Sequence, residues 1–185
     1  MKKILVLFLI IITISLFTAC GMLFTEKDTA TDISDYSEYL GNGWKHANDI
    51  FPSSIPASAE IKDFYYEYYN PFDPNYVVYL VYSCNDEDYM KEIERLSKLP
   101  SSKDYLIFGA TGFNYPVCAV SANSNNGYIY ALTDKQNNKL IYVEIKFCNY
   151  FSDINYEDIV DKKYLPIEFN AKSKNPTQLN FRKSK

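Results

Sequence analysis

The chain has 185 residues, 47% of them hydrophobic and 17% aromatic, with 19 basic and 23 acidic residues for a net charge of −4. That balance lacks the basic footprint that general nucleic-acid binding needs. The aromatic content, carried by 18 Tyr and 12 Phe, favours sheet. The tyrosine count alone is no functional signal, because a chain rich in Tyr, Asn, Lys, Ile and Phe also follows from the base composition of a gene.

In chain order, the first element is a leader. Met1-Lys2-Lys3 is a positively charged start, and Ile4 to Phe17 is apolar apart from Thr13 and Ser15. Charge followed by a hydrophobic run is the order of an export signal, whereas a spanning helix needs about 20 predominantly apolar residues. The small residues Thr18 and Ala19 directly before Cys20 resemble the lipobox of bacterial lipoprotein precursors, in which an aliphatic residue and two small residues precede the cysteine. Phe17 stands where that family has Leu or another aliphatic. The resemblance covers residues 1–21 and implies cleavage between Ala19 and Cys20, a lipidated Cys20 and a membrane anchor facing away from the cytoplasm. The competing reading is an uncleaved N-terminal anchor, which leaves the body of the chain in the same place. Without residues 1–19, and so without Lys2 and Lys3, 17 basic and 23 acidic residues remain, a net of −6.

Residues 20–43 read as the lipidated cysteine and a flexible tether, and its stretch 26–38 holds the acids Glu26, Asp28, Asp32, Asp35 and Glu38 against Lys27 alone. The domain is expected over 44–169. Within it "FPSSIPASAE" is an extended, proline-marked entry. "IKDFYYEYY" and "YVVYLVYS" then form a hairpin across "NPFDPN". The second of these strands is apolar on both phases and belongs in the middle of a sheet. "NDEDYMKEIERLSKLP" is the strongest helix: Asn85 caps, Asp86, Glu87 and Asp88 crowd the first turn, and Pro100 stops it. Tyr89, Met90, Ile93, Leu96 and Leu99 form its apolar stripe. "PVCAVSA", "YIYALT" and "KLIYVEIKF" make a meander through the turns "NSNNG" and "DKQNN". In the last strand Glu144 and Lys146 share a phase with Tyr142, so one face of it is expected to be wet. "INYEDIVDKKYLPIEF" reads as a short helix and a closing extended segment. Residues 170–185, with Lys172, Lys174, Arg182, Lys183 and Lys185, read as a basic, disordered tail. The expected fold is one α+β domain, an antiparallel sheet of about five strands with one amphipathic helix on one face.

Recognisable catalytic motifs are missing: no G-x-S-x-G, G-x-x-x-x-G-K-[ST], H-E-x-x-H or G-x-G-x-x-G occurs. His46 is the single histidine, and with Cys84, Cys118 and Cys148 it completes a zinc set in name only, since structural zinc ligands come in closely spaced pairs. The three cysteines allow three disulfide pairings or free thiols. Asp86, Glu87 and Asp88 are accounted for by the helix dipole. "NSNNG" has amides where a calcium loop needs acids, and "GATG" is a turn. No metal and no cofactor is expected. The most informative stretch is "DFYYEYY", where Tyr65, Glu67 and Tyr69 share one phase; rings beside a carboxylate suit a sugar or peptide platform. The bland reading of the same residues is core and rim of an ordinary sheet. The resulting expectation is a membrane-anchored binding module for an envelope protein or glycan. An envelope hydrolase using a carboxylate pair or free thiol, and an accessory lipoprotein without a small ligand, are the alternatives.

Overall fold

The computed structural model describes residues 26–41, 49–70, 75–100, 110–123, 127–146 and 154–169. Its strands are β1 (Glu26–Ala30), β2 (Glu60–Asn70), β3 (Asn75–Ser83), β4 (Val117–Asn123), β5 (Gly127–Asp134) and β6 (Lys139–Lys146). The helices are α1 (Tyr36–Gly41), which continues a 3-10 turn at Ile33–Asp35, then α2 (Asp86–Ser97) and the short α3 (Tyr156–Ile159). The strands form one sheet in the order β1-β2-β3-β6-β5-β4, and every neighbouring pair is antiparallel.

The α+β class, the β2–β3 hairpin, the helix and the meander are all present, but the sheet has six strands rather than five. The extra strand is β1, in the segment that reads as tether. Its residues EKDTA have no apolar stripe, and none is needed at a sheet edge, where charge also discourages further pairing. The Asp32 side chain then accepts from the Ser34 N–H at 2.9 Å and starts the 3-10 turn, so ordered structure begins well before residue 44.

β3 and β6 are central and are buried on both faces. On one face, Val77, Tyr79 and Val81 of β3 and Ile141, Val143 and Ile145 of β6 meet Tyr128, Tyr130 and Leu132 of β5. The segment 154–169 covers this face with Tyr156, Val160, Tyr164 and Leu165, and the Tyr130 hydroxyl donates to the Tyr164 carbonyl at 2.9 Å. On the opposite face, Phe64, Tyr66, Tyr68, Val78, Leu80, Tyr82, Leu140 and Tyr142 pack under Tyr36 and Tyr39, Ile50 and Phe51, and Tyr89 and Leu96 of α2.

α2 starts as the sequence dictates, with the Asn85 side chain accepting the Asp88 N–H at 2.8 Å and three acids in the first turn. Met90, however, is 58% exposed. Tyr89, Ile93 and Leu96 already fill the sheet-facing line at steps of three and four, and Met90 lies about 100° round from Tyr89. The expected wet face of β6 is also corrected: Glu144 and Tyr142 are 2% and 0% exposed. The N-terminal segment and α2 together cover that face, which a single helix would not.

Candidate ligand shelf at the β1–β2 end of the sheet

The 154–169 segment covers the middle of its face and reaches Tyr79 through the Tyr164 ring, 6.0 Å between centroids. One strand further out the cover thins. Tyr65 and Tyr69 of β2 pack against that cluster from the side and stay half-buried. Glu67 lies between them, and strand alternation puts all three side chains on this one face. Register places Tyr65 beside Tyr79, Glu67 beside Val77 on one side and Thr29 on the other, and Tyr69 beside Lys27.

The Tyr65 hydroxyl donates to Glu67 Oε2 at 2.7 Å, and Lys27 Nζ lies 3.0 Å from Glu67 Oε1. Both carboxylate oxygens are thereby engaged, one by a fixed ring and one by a flexible, largely exposed ammonium. Burial, with the neighbouring Glu67 carboxylate as the second cause, pushes the Tyr65 hydroxyl up to about 12, so it remains a donor at neutral pH. A ligand that displaces Lys27 would find two aromatic edges and an oriented carboxylate, a set suited to hydrogen-bonding hydroxyls or amides rather than to acid/base chemistry.

Glu144 of β6 and the acids of α2 are engaged elsewhere. Glu144, in the middle of β6, is fully enclosed and accepts from the Tyr39 hydroxyl at 2.6 Å. Burial raises its pKa to about 7, opposed by that hydrogen bond and by the charge of Lys146. On α2, Glu92 accepts from the Tyr142 hydroxyl at 2.6 Å and pairs with Arg95, whose guanidinium also donates to the Ile50 carbonyl at 2.7 Å. This network fastens α2 and the 49–52 segment to the sheet. Asp88 accepts from Ser58, Asp86 from Asn138, and Lys91 pairs with Glu87 and lies 3.9 Å from Asp88, so each acid of the first turn has a partner.

Cys84 and Cys118 are free thiols rather than a disulfide. Burial raises both, Cys118 to about 11, which keeps them protonated and weakly nucleophilic. Cys20 and Ala19, His46, Cys148 and the basic tail lie outside the described residues. No helix among the described residues is long and apolar enough to cross a membrane.

Of the sequence-derived candidates, the structure therefore brings Tyr65, Glu67 and Tyr69 together with Lys27, which the sequence did not single out. It was detectable only through the β1–β2 register. Glu144 and Tyr39 were missed as well; the signal was the double apolar phase of β3, which implies that both faces of its neighbour β6 are covered. No protein-family model, curated protein or solved structure matches this chain.

Proposed function

We propose that this chain is a lipid-anchored extracytoplasmic binding module, held to the membrane through Cys20, with the Tyr65–Glu67–Tyr69 shelf as its ligand surface. The observation that carries this reading is the placement of two half-buried tyrosines around an oriented, largely buried carboxylate, at the margin of the sheet face that the 154–169 segment covers. Ordinary core tyrosines of this protein, such as Tyr130 and Tyr142, are closed off completely. The ligand class is an envelope protein or glycan.

In-cell crosslinking of the full-length, C-terminally tagged chain, read by mass spectrometry, tests the shelf. The expected outcome is one partner captured near stoichiometry and lost when Tyr65 and Tyr69 are both replaced by Ala in a protein that still folds. Capture unaffected by that double substitution removes the shelf. Intact mass tests the anchor: the expected mature chain begins at a diacylated Cys20, and a chain beginning at Met22 or later without acyl groups removes the lipoprotein reading.

A further inference from the structure

β1 is shorter than the strand it pairs with. Its last pair is Ala30 with Tyr66, so among the described residues no strand lies against the outer edge of Glu60–Tyr65. The chain turns away there, because Asp32 caps the 3-10 turn. The divergence leaves a notch of about 560 Å³ lined by Thr31, Asp32 and Ile33 on one side and Ile61–Tyr65 on the other. That volume falls in the range of ordinary ligand sites. In an antiparallel strand every second residue directs its N–H and C=O to the outer side, so this stretch presents main-chain donors and acceptors along the floor of the notch.

Two further features define what fits. The register shifts between Ile61 and Asp63, which makes Lys62 the extra residue of a bulge. The bulge turns Ile61 onto the same face as Phe64, where both pack in the α1–α2 cluster, while Tyr65 packs on the shelf face. A strand laid along this edge would therefore have apolar neighbours on one side and Asp63 and Tyr65 on the other. The charge is also directional. Lys62 is paired with Glu60, whereas Asp32 and Asp63 are exposed at the notch, leaving it net acidic.

We infer that the notch takes an extended peptide as an added strand, one in which lysine or arginine alternates with a β-branched apolar residue. Main-chain hydrogen bonds to the Glu60–Tyr65 edge supply the register. The cations face Asp63, and the apolar residues continue the row of Ile33, Ile61 and Phe64. Tyr65 lines both the notch and the shelf, so the two sites adjoin where β1 begins to occupy the edge. The inference rests on the reading of the chain as a binding module and narrows its ligand to an extended, basic protein segment.

The test is a titration of the full-length chain in detergent micelles with a capped heptapeptide alternating lysine and valine, read by calorimetry and by the amide resonances of residues 60–65. The expected result is saturable binding that shifts those amides. Binding should weaken at least tenfold when every second peptide amide is methylated, and at least fivefold in Asp63→Lys. Met90→Ala, on the exposed face of α2, should bind as the unaltered chain does. Equal binding of the methylated peptide, or no binding by either peptide, overturns strand addition. Dimerisation of the chain that Asp63→Lys abolishes, without peptide binding, assigns the edge to a second copy and likewise overturns it. A partner captured through Tyr65 and Tyr69 in cells alongside a negative titration leaves the binding module standing and removes the peptide alone.

Discussion

Two tyrosine–glutamate pairs sit on opposite faces of the same sheet with nearly the same geometry. Tyr39 donates to Glu144 at 2.6 Å and Tyr65 donates to Glu67 at 2.7 Å. The first pair joins α1 to β6 with almost no access to water, and burial raises the pKa of its carboxyl to about 7. The second has a lysine from the edge strand in place of a roof. The same chemistry is a structural clasp in one place and, in the function proposed above, a recognition element in the other, because cover decides whether a carboxylate can exchange its partners with a ligand.

The largest expected effect concerns the covered pair. Its folded-state pKa of about 7 lies above the ordinary value of 4.5, so the folded chain holds a proton that the unfolded chain releases. The stability this confers is complete below pH 4.5 and is lost as the pH rises towards 7, by on the order of 3 kcal/mol. Denaturant unfolding of Glu144→Gln across that range should lack this slope, and an unchanged slope would show that Glu144 does not titrate as its burial implies. Next in size, Tyr39→Phe at pH 8 should cost about 2 kcal/mol by removing a hydrogen bond to a buried carboxylate. The same variant should move the Glu144 midpoint further upward, since the Tyr39 hydrogen bond acts to lower it. By contrast Tyr65→Phe is expected to change stability by less than about 0.5 kcal/mol, because Glu67 keeps its pairing with Lys27. Smallest of all, Lys27→Ala should be nearly neutral for stability, within about 0.5 kcal/mol. It should nevertheless strengthen binding of any cationic ligand at the shelf, seen in calorimetry as reduced competition for Glu67. Equal costs for Tyr39→Phe and Tyr65→Phe would erase the distinction between the two pairs.

Much of this architecture was legible in the residues. The two apolar phases of "YVVYLVYS" placed β3 in the centre, Asn85 and the acids after it placed α2, and the turn residues placed the meander. β1 was not legible, because an edge strand with one neighbour carries almost no hydrophobic pattern. The burial of Glu144 was hidden for a different reason: alternation shows which residues share a face, whereas the covering of that face is a tertiary fact involving Tyr39, more than a hundred positions away. The shelf was half legible. "DFYYEYY" gave Tyr65, Glu67 and Tyr69 their common phase, but Lys27 enters only through pairing with a strand that the local sequence does not announce.

The early start of β1 bears on where a ligand must come from. If Cys20 carries the lipid, six residue steps separate it from Glu26, and a fully extended chain spans at most about 20 Å over that distance. The edge strand would then ride close above the headgroups, on a short leash. The shelf and the notch both adjoin this strand, so they would sample a thin layer next to the bilayer, favouring partners that are themselves embedded in or pressed against the membrane.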